Sequence, residues 1–310
     1  MPGESYRGEL PAPDDKLVVL AKELRSDVAR LAREIGERNV HNRAHELARA
    51  AKCIEAELRE AGYAVKRQEF EVSGGKCSNL EVEIPGTTRP AEIVIVGAHY
   101  DTAAGTPGAN DNASGVAALL ALARRFSNRQ TERTLRFVAF VNEEPPYSFT
   151  GKMGSRVYSR RCRQRGENVV AMLSLETIGC YDDTPGSQKY PPPFSLLYPA
   201  TGNFIAIVGN IGSRHLVRQV VDLFRENEKF PCEGAALPAS VTGVGFSDHW
   251  SFWQEGYAAA MVTDTAMFRY PHYHTPQDTI DKVDFDRTAR VVRGLESVIA
   301  ELAACSSGGS

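Results

Sequence analysis

Glu92-Ile-Val-Ile-Val-Gly-Ala98 is the stretch that decides the fold. Its apolar residues do not alternate with polar ones, which suits a strand buried on both faces, as in a parallel sheet covered by helices. His99 and Asp101 follow at once. Shorter strand patterns lie on either side. Residues 64–72 and 80–84 read as strands upstream, and 134–141, 169–175, 204–208 and 258–262 downstream. Helical spacing separates them. Leu17, Leu20, Ala21, Leu24, Val28, Leu31, Ala32 and Ile35 recur at that spacing after an Asp14-Asp15 pair able to cap the start. Leu47, Ala51, Ile54, Leu58 and Ala61 share one face before Gly62 stops the second helix; residues 113–126, 214–224 and 285–302 predict three more. Strands alternating with helices predict an α/β three-layer sandwich, with a mixed, largely parallel central sheet flanked by helices.

The bulk of the sequence fits that frame. With 310 residues and 42% hydrophobic content the chain can bury a large core. We expect one catalytic domain over 16–305 between flexible tails at 1–15 and 306–310, the latter a Ser-Ser-Gly-Gly-Ser end. The triple proline in Tyr190-Pro-Pro-Pro193 reads as a surface loop within that domain. Lys and Arg (36) and Asp and Glu (39) are well mixed and leave a formal charge of −3. No basic run invites nucleic acid. No apolar stretch approaches the roughly 18–20 residues that cross a membrane. The N-terminus is polar and proline-rich, without the apolar segment of a secretory leader, so the expected location is the cytoplasm, or outside the cell if a leader has been removed. The six cysteines form no CxxC pair and read as isolated thiols.

Chemistry concentrates where the strands end, which is where open α/β sheets place their sites. His99 and Asp101 leave one strand. Asp111 lies in Pro107-Gly-Ala-Asn-Asp-Asn-Ala-Ser-Gly115, a loop entering a helix. Glu143 and Glu144 close the next strand, Glu176 ends another, and His274 lies in Tyr270-Pro-His-Tyr-His-Thr-Pro-Gln-Asp278. Taken singly, each has an ordinary explanation: a Glu pair is usually solvated, and a His beside Tyr usually packs. Together, at the ends of apolar strands, they are hard to explain as surface decoration. Two imidazoles with several carboxylates suit zinc or a similar borderline ion. In the Glu143-Glu144 pair, one carboxylate can bind metal while its neighbour carries protons.

These segments resemble the di-zinc aminopeptidase family, which also contains glutamate carboxypeptidase, the catalytically dead transferrin receptor ectodomain and the animal-type glutaminyl cyclases. The resemblance rests on Gly97-Ala-His-Tyr-Asp101, Gly108-Ala-Asn-Asp-Asn-Ala-Ser-Gly115, Val141-Asn-Glu-Glu144, Met153-Gly-Ser155, Ser247-Asp-His-Trp-Ser-Phe252 and Tyr273-His-Thr-Pro-Gln-Asp-Thr279, in the family's order. It implies two divalent ions, zinc by default, bridged by Asp111, with His99 and Glu176 completing one site and Glu144 and His274 the other. It makes Glu143 the general base toward a water activated by both ions. Tyr273 takes the place where some members set a hydroxyl on the developing oxyanion. Asp101 would hold the His99 ring, Asp278 the His274 ring, and Asp248 would support the site from behind. A cis peptide at Asp111–Asn112 is also implied. The implied activity is an aminopeptidase acting on a peptide or aminoacyl-amide substrate.

Two features depart from the family pattern. Glu176 stands where members commonly have Asp, and residues 145–153 form a longer connection than usual, able to rim the pocket. The resemblance leaves other readings: a glutaminyl-cyclase-like acyltransferase with a single zinc, a non-catalytic binding module, and a carboxypeptidase. Complete ligands at both sites and an intact Glu143 favour hydrolysis over the first two. No basic pocket for a C-terminal carboxylate is evident for the third.

Overall fold

The computed structural model describes residues 1–304. In chain order the elements are α1 (Asp15–Val28), α2 (Ala44–Glu60), β1 (Lys66–Val72), β2 (Gly75–Ile84), β3 (Gly86–His99), α3 (Gly115–Phe126), β4 (Thr131–Phe140), α4 (Gly154–Gln164), β5 (Asn168–Glu176), β6 (Asp182–Pro185), β7 (Thr201–Gly202), β8 (Ile205–Asn210), α5 (Arg214–Asn227), β9 (Cys232–Leu237), α6 (His249–Trp253), β10 (Ala259–Thr263) and α7 (Phe285–Ala303). Eight strands make one sheet in the order β1-β2-β4-β3-β5-β10-β8-β9, and β6 and β7 form a separate ribbon. The centre, β4-β3-β5-β10, is wholly parallel; the antiparallel pairs lie toward the edges, at β1/β2, β2/β4 and β10/β8. This is the mixed α/β sandwich read from the sequence.

The parallel centre is what positions the site, because four neighbouring strands running one way end on one edge of the sheet. Ile93 to Val96, the unbroken apolar run, is buried on both faces. One core packs α1, α2, α3, α5 and α7 against the sheet, and a smaller one under α4 and α6 covers the other face around Ile95, Val138, Phe140, Met172 and Ala259. Each large aliphatic side chain removed from water this way stabilises the fold by about 1.5–3 kcal/mol.

Some elements were not read from the sequence. The helix α4, Gly-Ser-Arg-Val-Tyr-Ser-Arg-Arg-Cys-Arg-Gln, buries chiefly Tyr158 and Cys162, and its arginines hide the apolar face. Edge strand β9 carries Gly and Ala rather than branched residues, so it gives little strand signal. Residues 1–14 have no helix or strand, yet they are tied down, with Arg225 donating to the carbonyls of Pro2 and Gly3 and the Cys232 N–H to Ser5 Oγ. Nothing in their composition announces this. The expected tail at 306–310 lies outside the described residues. Cys53, Cys77, Cys162, Cys180 and Cys232 are free thiols, as expected, and Cys305 lies outside the described residues.

Candidate metal centre

All five expected ligands converge at the carboxyl edge of the sheet. His99 ends β3, Glu176 ends β5, and Glu143 and Glu144 follow β4. Asp111 comes from the loop before α3, with a cis peptide to Asn112. That loop is tight. Gly108 has φ of +63°, and a Cβ on it would lie 2.4 Å from the Asp111 carbonyl oxygen, so only glycine fits there. His99 Nε2 lies 3.3 Å from Asp111 Oδ1 and 3.2 Å from Glu176 Oε2. His274 Nε2 lies 3.0 Å from Asp111 Oδ2 and 3.1 Å from Glu144 Oε2. Asp111 thus faces both imidazoles, one oxygen to each. Glu143 stands further off, its Oε2 4.0 Å from His99 Nε2.

These donors fit divalent metal. His99 Nε2, both Asp111 oxygens, Glu144 Oε1 and His274 Nε2 are buried with no hydrogen-bond partner among the described residues. Such atoms are costly unless something satisfies them, and metal ions do so. The donor atoms of His99, Asp111 and Glu176 lie within 4.8 Å of one another, as do those of Asp111, Glu144 and His274 and those of His99, Glu143 and Glu144.

Supporting residues fix these ligands, not always as the sequence suggested. Asp101 lies 3.5 Å from His99 Nδ1, and its two oxygens accept the N–H groups of Glu143 and Glu144. It therefore orients the Glu pair as well as flanking the ring. Asp278 corrects the expectation that it would hold His274. Its oxygens accept the Asn110 and Asp111 N–H groups and the Tyr270 hydroxyl, so it braces the Asp111 loop. Ser247 Oγ donates to Glu176 Oε2 at 2.8 Å. Asp248 is fully buried, and burial pushes its carboxyl up to about 7.

Two further groups were missed. Asp264, just past β10, accepts from Asn110 Nδ2 and from the Cys180 and Ala266 N–H groups. Arg38, fully buried, donates to the carbonyls of Tyr100, Gly36, Pro107 and Gly108, clamping both ends of the segment between His99 and Asp111. Burial lowers its guanidinium to about 10, against the pull of Asp101, Asp278, Asp111 and Glu144. A lone Arg in the connection before α2 carries no periodicity, so only a charge count around the acidic cluster could have flagged it.

The electrostatics follow from crowding. Burial works to raise Asp111, but the two imidazoles outweigh it and hold the carboxyl below its ordinary range. Burial and the Asp111 charge lift Glu144 to about 7 against His274. Glu143 is pushed well above the usual carboxylate value, first by burial and then by Glu144 and Glu176, against His99. Burial, followed by the charges of Asp111, Glu144 and Glu176, raises the Tyr273 phenol, which keeps its proton. Its ring stacks on His274, centroids 3.9 Å apart.

A cavity of about 100 Å³ opens beside Glu176 and Tyr273. Phe194, Phe204, Val244, Phe246, Met261 and Phe268 give it mainly apolar walls. The proline-rich stretch read as a surface loop also contributes, through Tyr190 and Pro191.

Buried paired imidazoles and carboxylates at the carboxyl edge of such a sheet, beside an apolar cavity, mark a metallo-exopeptidase. The family model described as peptidase family M28 matches residues 79–299, and the chain belongs to that family. It is 36% identical to the uncharacterized protein YfbL of Escherichia coli (strain K12), over 90% of this chain and 87% of that one. It is 28% identical to a probable leucine aminopeptidase 1 of Trichophyton verrucosum, over 81% of this chain but 65% of the fungal protein's length. Among solved structures, the zinc aminopeptidase BSAP of Bacillus subtilis shares the fold with a TM-score of 0.75 at 16% identity, covering 97% of this chain and 98% of that one. The glutaminyl cyclase of Fimbriiglobus ruber does so with a TM-score of 0.68 at 20% identity, covering 95% and 97%.

Proposed function

We propose that the chain is an aminopeptidase that hydrolyses the first peptide or amide bond of substrates with a free α-amine and an apolar N-terminal side chain. The observation that carries this reading is the shared Asp111. One oxygen faces the His99–Glu176 pair and the other the Glu144–His274 pair, an arrangement suited to two divalent ions, with zinc the default. When bound, the ions supply Lewis-acid polarisation of the scissile carbonyl and lower the pKa of water.

The chain's own residues do the rest. Glu143 is near the ligands but set back from them, and burial with neighbouring charge raises its proton affinity, as suits a group that takes a proton from water and returns it to the leaving nitrogen. Tyr273 stays protonated and can donate its O–H to the oxyanion. Glu176 lines both the metal cluster and the cavity, so its carboxylate can meet the substrate's α-ammonium. The apolar walls suit an aliphatic or aromatic side chain.

The second reading, a single-zinc glutaminyl cyclase, is disfavoured by two complete donor groups where one would serve. Zinc analysis with a panel of aminoacyl anilides, their N-acetylated forms and an N-terminal glutamine peptide tests both. We expect roughly two ions per chain and cleavage of free-amine substrates with apolar first residues. Cleavage of acetylated substrates at equal rates would sink the aminopeptidase reading, and ammonia release from the glutamine peptide would install the alternative.

A further inference from the structure

The long connection at 145–153, which no part of the mechanism above uses, carries an exposed ring to the mouth of the site. Phe149 is 45% exposed, and its φ of 60° lies in the left-handed region, where a bulky residue is an outlier. The loop is nonetheless pinned. Ser148 Oγ donates to the Glu143 carbonyl, Thr150 Oγ1 to the Tyr147 carbonyl, and the Tyr147 hydroxyl to Ser73 Oγ. Phe149 packs edge-on against Phe246 and Trp250, with centroids 5.6 and 5.2 Å away. Phe246 is itself 39% exposed and forms part of the cavity wall. The two rings thus meet at the cavity wall that Phe246 forms. One follows the serine that donates to the Glu143 backbone carbonyl, and the other precedes Ser247, which donates to the Glu176 carboxylate.

We infer that Phe149, with the outer face of Phe246, binds the side chain of the second residue of a peptide substrate, and that this residue is preferentially apolar or aromatic. The inference rests on the aminopeptidase reading. If the cavity beside Glu176 holds the first side chain, the chain beyond the scissile bond must leave past Glu143, the group that protonates the departing nitrogen. The loop that begins at Glu143 is the one that presents Phe149. A pinned backbone in an unfavourable conformation that leaves an apolar ring half exposed is a structural cost, and such features cluster at ligand contacts.

The test compares kcat/KM for leucinamide, Leu-Phe-amide and Leu-Asp-amide in the wild type and in Phe149→Ala, an exposed position where folding is not at stake. The wild type should favour Leu-Phe-amide over Leu-Asp-amide. Phe149→Ala should cut the ratio of Leu-Phe-amide to leucinamide by about three- to tenfold, the range of one aromatic contact, while the ranking of first residues among aminoacyl amides holds. Phe246→Ala should disturb both second-residue and first-residue preference, because that ring faces both ways. An unchanged ratio in Phe149→Ala, or a shift in first-residue ranking instead, overturns the inference. A wild type that cleaves leucinamide but does not discriminate second residues also overturns it, and leaves the aminopeptidase reading standing. Failure to cleave any of the three sinks that reading itself.

Discussion

The His99 half of the centre grows from strand ends, whereas the His274 half depends on a loop. His99 is 1% exposed, and both it and Glu176 close strands of the parallel core, so pairing with β4 and β10 fixes their backbones. The His274 side chain is 31% exposed and its φ is 57°, with the stacked Tyr273 ring as its main lateral support. Asp111, common to both, is braced from outside by Asp278 and, through its loop, by Arg38. Strand-borne ligands inherit the rigidity of the sheet. A loop-borne ligand opens more cheaply, so the His274 half should release its ion first.

The largest effect should come from deleting either imidazole. His99→Ala and His274→Ala should each lose nearly all activity and bind about one tight ion per chain at saturating zinc. The two variants should differ under a chelator. Wild type should lose metal in a fast and a slow phase, and His274→Ala should lack the fast one. Monophasic release from wild type, or a fast phase persisting in His274→Ala, would erase the difference between the halves.

Glu143 belongs to neither half, and that too can be tested. Glu143→Gln should keep both ions while the rate falls by at least ~10²-fold, the lower end for a lost general base. Loss of an ion along with the rate would move Glu143 into the ligand set.

Acidity gives a third, smaller contrast. In the chelated protein burial opposes a charged His274, yet Asp111 and Glu144 outweigh it and lift the ring to about 11. Because that value stands above the ordinary 6.5, the charged ring stabilises the chelated fold fully below pH 6.5 and ceases to do so only as pH rises through 11. Near neutrality a metal at Nε2 must therefore displace a proton. Zinc affinity at this half should rise about tenfold per pH unit for each proton released, from about pH 6 to 8. Zinc titration in weak buffer should release fewer protons from His274→Ala than from wild type; equal release would mean that the ring binds as the neutral species throughout.

How far the sequence could be read follows the same division. His99, Glu143, Glu144 and Glu176 stood out because each ends an unbroken apolar run, and such runs in a parallel sheet terminate together. The sequence marks Asp278 but points it at the wrong neighbour. Sequence proximity places it beside His274, while the turn folds it under Asp111. Arg38 and Asp264 act through backbone carbonyls and amides brought together by the tertiary fold, and no local spacing encodes that. The unusual length of 145–153 was visible, but the meeting of Phe149 with Phe246 was not, since the two lie almost a hundred residues apart.

Glu176 offers the smallest and most discriminating test, because it belongs to the rigid half yet also faces the cavity. Its Oε2 receives the Ser247 hydroxyl and lies 3.2 Å from His99 Nε2. If the carboxylate also meets the α-ammonium, Glu176→Asp keeps the charge but sets it back by one methylene, roughly 1.5 Å. Coulomb's law for a change from about 3 to about 4.5 Å gives a loss of roughly 0.5 kcal/mol at water's dielectric and roughly 2 kcal/mol at an effective value near 20. Binding of free-amine ligands such as leucinamide should therefore weaken about two- to twentyfold, while N-acetylleucinamide, which has no charge to lose, should bind nearly as before. Metal content should hold, because Asp is the residue the family commonly carries at this position. Equal weakening of both ligands would assign the effect to cavity shape, and no weakening of either would leave Glu176 as a metal ligand alone. A lost ion would mean that β5 sets Glu176 too far back for the shorter side chain, and the rigid half would then owe its geometry to this substitution.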